Sequence, residues 1–166
     1  MKLSELADLP LTYDDVGATI SGDVPAGYRW VQRSARIGVG RARFEEAAES
    51  VLRYGMLRGA GVTVTASTDV AEVGTLVLGR LGPFAAPCRV VGVVDGPDRR
   101  GFAYGTLPGH PVTGEELFAV RYEPGSGSVY SEVAAFSRPN TWWARLGSPA
   151  LSVVQRMVTT RYLAAV

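Results

Sequence analysis

The hydrophobic period of this chain changes twice, and that limits its fold more than any other feature. Phe44, Ala47, Ala48, Val51 and Leu52 recur at helical spacing, the apolar stripe of an amphipathic helix. Glu45, Glu46 and Glu49 occupy its other face near the N-terminal end, where negative charge suits the helix dipole. Gly59 and Gly61 supply its stop. From Val62 the period becomes two. Short β-branched or alternating runs cover 62–66, 76–78, 88–94, 102–106, 117–122 and 129–136. Turn chemistry separates them: Gly82-Pro83, Asp95-Gly96-Pro97-Asp98, Pro108-Gly109 and Pro124-Gly125-Ser126-Gly127. Helical spacing returns with Leu151, Val154, Val158, Tyr162 and Ala165, behind Pro149 in a first turn. The pattern predicts six strands in an antiparallel meander, then a helix over 151–166.

Upstream, residues 1–27 read as an irregular lead-in, and 28–37 as one more strand, broken by Gly38 and Gly40. A lone strand cannot form a sheet, so it must join the other six. Seven antiparallel strands with an apolar face need a cover, and the C-terminal helix is the candidate. The expectation is a single α+β domain over 1–166, a curved seven-stranded antiparallel sheet wrapped around a long C-terminal helix. This element order resembles the helix-grip architecture of START-like and pollen-allergen-like proteins, which implies a cavity between sheet and helix.

Composition narrows the partners. The chain is 46% hydrophobic and 20% charged with a net charge of +1, too apolar and too neutral for disorder. Sixteen arginines stand against Lys2 alone, but no run exceeds Arg99-Arg100. Codon usage in a G- and C-rich genome accounts for such a ratio, and the scatter gives no basic tail for nucleic acid. Cys88 is the only cysteine and His110 the only histidine. That excludes an intramolecular disulfide and a Cys/His zinc site built from one chain. No metal or cofactor is expected. Met1–Thr12 lacks the basic start and apolar run of a secretory signal, and no run reaches membrane-span length. A cytoplasmic location and no membrane span are the expectations.

Several short motifs could carry chemistry. Gly38-Val-Gly40 lies between strand and helix, but Arg43 stands where a dinucleotide fingerprint needs its third glycine. The stretch from Tyr104 to Glu116 joins two strands and holds His110 with Glu115 and Glu116 nearby. A histidine beside a carboxylate can serve as a general base, so these three are the catalytic candidates; a structured hairpin loop is the plainer alternative. Cys88 opens a strand, where it is either a small buried hydrophobe or half of a Cys88–His110 pair. Arg138 could hold a carboxylate or phosphate at the end of the last strand. Trp142 and Trp143 could line a pocket or pack at the sheet edge. The aromatic positions Trp30, Phe102, Tyr104, and Phe118 or Tyr122 are candidates for an inner face. The candidate ligand-binding set is Trp30, Phe102, Tyr104, His110, Glu116, Arg138 and Trp142.

Tyr13-Asp-Asp-Val-Gly-Ala-Thr19, Gly38-Val-Gly40 before Phe44, and Pro87-Cys-Arg-Val-Val91 form part of one set of motifs. Phe102-Ala-Tyr-Gly-Thr-Leu107, Gly109-His110, Gly114-Glu-Glu116 and Phe136-Ser-Arg-Pro139 complete it. Together they resemble the bacterial and plant family of domains of unknown function numbered nineteen-ninety, over about residues 10–165. One departure is Arg53-Tyr54-Gly55, where a Trp would be expected. The family carries no assigned reaction, so the resemblance transfers no catalytic residue. The expectation is a protein that binds a small, largely apolar or amphipathic molecule. The alternatives are an enzyme using His110 as acid or base, and a non-catalytic structural module; monomer and homodimer both stay open.

Overall fold

The computed structural model describes residues 1–23 and 25–139. Seven strands form one antiparallel sheet: β1 (Arg29–Val39), β2 (Thr63–Ala66), β3 (Leu76–Leu81), β4 (Phe84–Asp95), β5 (Arg99–Thr106), β6 (Val112–Glu123) and β7 (Ser128–Pro139). Their spatial order is β1-β7-β6-β5-β4-β3-β2. β2 pairs with β3 across residues 67–75, from β3 onward each strand pairs with the next through one of the turns read from sequence, and β1 closes onto β7. The helix expected over 151–166 lies outside the described residues, as do Trp142 and Trp143.

Both faces of this sheet are covered. On one face sit α2 (Arg41–Leu52) and α3 (Gly55–Gly59), reached directly from β1. Phe44, Ala47 and Val51 of α2 and Met56 and Leu57 of α3 pack with Val77, Cys88, Val90, Phe102, Tyr104, Phe118 and Val133 from the strands. We call this the helix face. The predicted stripe lies wholly within α2, and the stop predicted at Gly59 and Gly61 falls at the end of a second short helix, α3, that meets α2 at a corner. Gly55 makes the corner possible, because a Cβ there would lie 2.7 Å from the Ser50 carbonyl oxygen. Tyr54 turns the chain with φ 64°, a left-handed conformation that costs a non-glycine residue on the order of 1 kcal/mol or more. Its ring offsets that cost: Tyr54 is buried and meets Phe102 edge-on at 5.5 Å.

The opposite face carries the N-terminal segment, which is irregular over most of its length but closely packed on the strands. It contains a 3-10 turn at Leu3–Glu5 and a one-turn helix α1 (Ala18–Ser21). Leu6 is buried with Leu78 and Leu107, and Tyr13 and Ala18 are buried with Phe136. Arg89 donates to the carbonyls of Leu6 (3.2 Å), Ala7 (2.8 Å) and Leu9 (2.9 Å). The Thr12 amide donates to the Thr106 carbonyl at 3.1 Å. The Tyr13 ring lies flat enough on β5 that a Cβ on Gly105 would come 2.7 Å from its Cε1. We call this segment the strap.

Replacing Tyr54 by Ala removes a buried ring and leaves a void beside Phe102. We expect a loss of about 3–4 kcal/mol, read from the midpoint of urea unfolding.

Candidate functional site

Residues paired directly across strands share a face, and successive residues alternate. The register sets Phe102 opposite Phe118, Tyr104 opposite Glu116 and Gly105 opposite Glu115. The consecutive glutamates therefore project to opposite sides of the sheet and have separate roles.

Glu116 projects to the helix face. Its row across the sheet reads Val90, Tyr104, Glu116, Ala135, Val31. The next row brings Phe102 and Phe118, and the three rings form a contiguous cluster: Phe102–Phe118 at 5.6 Å, Tyr104–Phe118 at 5.2 Å and Phe102–Tyr104 at 6.2 Å. The Tyr104 hydroxyl donates to Glu116 Oε2 at 3.2 Å. Removal from water pushes the Glu116 carboxyl up from 4.5 to about 7, and the Tyr104 bond offsets part of that rise. Partly buried among aromatic and aliphatic side chains, Glu116 is an acid that exchanges its proton near neutrality.

Glu115 projects to the strap face, where it is buried. Its Oε2 accepts from the Tyr13 hydroxyl at 2.7 Å and from the Gly17 amide at 2.8 Å. Its Oε1 accepts from the Thr19 amide at 3.0 Å and from the Thr19 hydroxyl. Both oxygens are committed to the strap, which makes Glu115 a structural anchor. Burial and the Glu115 charge push the Tyr13 phenol well up, so it remains a donor throughout. Sequence reasoning did not connect Tyr13 and Thr19 with Glu115. The available signal was that Tyr13–Thr19 and Gly114–Glu116 belong to one set of family motifs.

The other candidates separate in the same way. Trp30 pairs with Phe136, which pairs with Glu115, so Trp30 lies on the strap face beside Ile20 and not with Phe102 and Tyr104. Arg138 also projects there, with its guanidinium 4.7 Å above the Tyr28 ring. His110 sits in the β5–β6 loop, with Nδ1 2.9 Å from the Val112 carbonyl oxygen and 3.1 Å from the Val112 amide. Burial pulls its imidazole down to about 4, so it is neutral at pH 7. The expected His110–glutamate pair does not form: Glu115 is spent on the strap, and Glu116 bonds Tyr104. Cys88 is fully buried on the helix face, and burial pushes its thiol well above the usual range, with a smaller push from Glu116. Of the sequence candidates within the described residues, Phe102, Tyr104 and Glu116 come together. Phe118, which the sequence left as an alternative to Tyr122, joins them. Tyr122 packs at the far end of the sheet against Phe44. Among the described residues no group of three His, Cys, Asp or Glu side chains could hold a metal ion, and no helix is long and apolar enough to cross a membrane.

The family model described as "Domain of unknown function (DUF1990)" matches residues 12–165. The chain belongs to this family. A UPF0548 protein of Deinococcus radiodurans is 32% identical over 166 aligned positions, covering 91% of this chain and 83% of the relative. Among solved structures, a hypothetical protein from Helicobacter pylori superposes with a TM-score of 0.59 at 8% identity, covering 93% of this chain and 98% of that one. A truncated norcoclaurine synthase from Thalictrum flavum superposes with a TM-score of 0.53 at 12% identity, covering 84% and 93%. At such identities the likeness shows the fold, a curved antiparallel sheet of the helix-grip kind.

Two outcomes follow for the glutamates. In carbon-detected NMR the Glu116 carboxyl should titrate near 7, well above the ordinary glutamate value of 4.5. Folded Glu116 keeps its proton where the unfolded chain releases it, so its contribution to stability falls as pH rises from 4.5 to about 7. Glu116→Gln should flatten that part of the stability profile and gain on the order of 2 kcal/mol at pH 8. Glu115→Ala leaves several strap donors without an acceptor and should cost about 3 kcal/mol, with early proteolytic cleavage near Tyr13.

Proposed function

We propose that this protein binds a small, largely apolar molecule between the helix face of the sheet and the helix expected over 151–166. The observation that carries this reading is the grouping of Phe102, Tyr104 and Phe118 around one carboxyl, Glu116. Ligand sites are mostly apolar with a few placed polar groups, and this face has that composition. Tyr104 uses its hydroxyl to orient Glu116, which keeps further acceptor capacity for a ligand.

A second reading, an enzyme on the same frame, is favoured by one specific fact. A carboxyl exchanging its proton near 7 suits general acid–base work at neutral pH, whereas an imidazole held near 4 does not. On this reading the acid–base residue is Glu116 and not His110.

Native mass spectrometry of the purified full chain, after incubation with a lipid and metabolite extract, tests the binding reading. A discrete bound species supports it, and repeated absence of any adduct overturns it. Tyr104→Phe keeps the ring and removes the hydroxyl, so it should weaken binding of that species about five- to tenfold with the fold intact by circular dichroism.

A further inference from the structure

The sheet ends very differently on its two sides. β2 closes one side with four residues, Thr63–Ala66, and β1 closes the other with eleven, Arg29–Val39. Among the described residues β1 pairs with β7 alone. In an antiparallel ladder every second residue of an edge strand turns its N–H and C=O away from its neighbour, a template for one more strand. The register with β7 is unbroken from Arg29 to Arg36 and shifts only before Gly38, so Arg29–Arg36 is a regular edge. Gln32, Arg33 and Ser34 are exposed in succession. Successive residues of a strand point to opposite faces, so the middle of β1 is open to solvent on both.

The charge along this edge is of one sign. Residues 24–44 hold five arginines and no acidic residue, in a chain whose net charge is only +1. Arg41 and Arg43, beyond the strand, are spent on Asp98 and Glu46. Glu132, opposite Ser34 on β7, is spent on Arg99 and Arg121. Among the described residues Arg33 donates to the carbonyl of its neighbour Gln32 at 2.8 Å, and neither Arg33 nor Arg36 reaches a carboxylate. These charges keep a second copy away. Antiparallel pairing of two β1 edges brings arginines together with no acid on either strand, and like charges destabilise such a pairing. The same charges suit a strand of opposite sign. Trp30 and Val31, half-buried on opposite faces, add apolar surface toward one end.

We propose that β1 docks an acidic, extended peptide segment of a partner protein, which joins the sheet as one more strand beside Arg29–Arg36. Its backbone completes the open ladder, its carboxylates meet Arg33 on one face and Arg36 on the other, and apolar residues at one end lie on Val31 and Trp30. Main-chain pairing supplies affinity in this mode of recognition, and the side chains beside it supply specificity.

Fluorescence anisotropy of the full chain with labelled peptides tests this. The probe is Glu-Thr-Thr-Glu-Thr-Val-Val-Glu. Laid antiparallel on β1, its glutamates fall opposite Arg36, Arg33 and Arg29, and its valines opposite Val31 and Trp30. The same peptide with lysine for each glutamate should bind about tenfold or more weakly. A version with proline for the two adjacent threonines keeps every charge but loses ladder donors, and it too should bind about tenfold or more weakly. Joint replacement Arg33→Glu and Arg36→Glu should reverse the preference between the glutamate and lysine peptides. Both side chains are exposed, so circular dichroism should show the fold intact; the three peptides on the unaltered chain decide the matter even if it is not. No binding of the glutamate peptide overturns the proposal, as does equal binding of the lysine peptide. Equal binding of the proline peptide overturns it as well, since charge would then act without a ladder. Polyuridylate that binds more tightly than the glutamate peptide, and is lost in the same double variant, assigns the edge to nucleic acid and overturns the peptide.

Discussion

The pairing of β5 with β6 is the constraint on which the rest of the molecule depends. One register sets Phe102 on Phe118, Tyr104 on Glu116 and Gly105 on Glu115. Those three contacts build the aromatic cluster, orient the acid within it, and aim the second acid at the strap. A slip of one residue would exchange the two faces. Glu116 would then meet the strap donors, and Glu115 would sit among the rings. The two-sided burial of the sheet makes this pairing strict, because neither face can accept the other's residues.

The strands were legible because Gly and Pro punctuate them and because their period of two differs from the helical stripe before them. The faces were not. From Gly101 to Thr106 every residue of β5 is buried, so alternation in hydrophobicity is largely erased and parity alone cannot say which side holds a site. That is why Trp30 read as an inner-face residue although it lies against Ile20 on the strap side. The corner at Tyr54 was also hidden, since the apolar spacing of α2 and α3 looks continuous when the chain's change of direction is unknown.

The site was half legible. Glu115 and Glu116 were flagged together, and one of them bonds Tyr104 on the helix face, but their division of labour needs the strand pairing. His110 drew attention because it is the chain's single histidine. Its loop surrounds it with backbone and takes away its charge at neutral pH. The strap was the least legible part. Residues 1–27 show no period because they follow the contours of a surface formed by other strands, and their partners lie far along the chain.

That distance has a consequence for how the protein is made. Tyr13 and Glu115 are separated by 102 residues, and Leu9 and Arg89 by 80. The strap leaves the ribosome ahead of β4, β5 and β6, and its docking surface does not exist until those strands have been synthesised and paired. Contacts of such long range form late and slow a fold. During synthesis Leu6, Tyr13 and Ala18 therefore travel as exposed apolar groups with nothing to cover them. This is the interval in which the nascent chain is most open to aggregation and to capture by chaperones, and it ends when the strap settles and seals the back of the sheet.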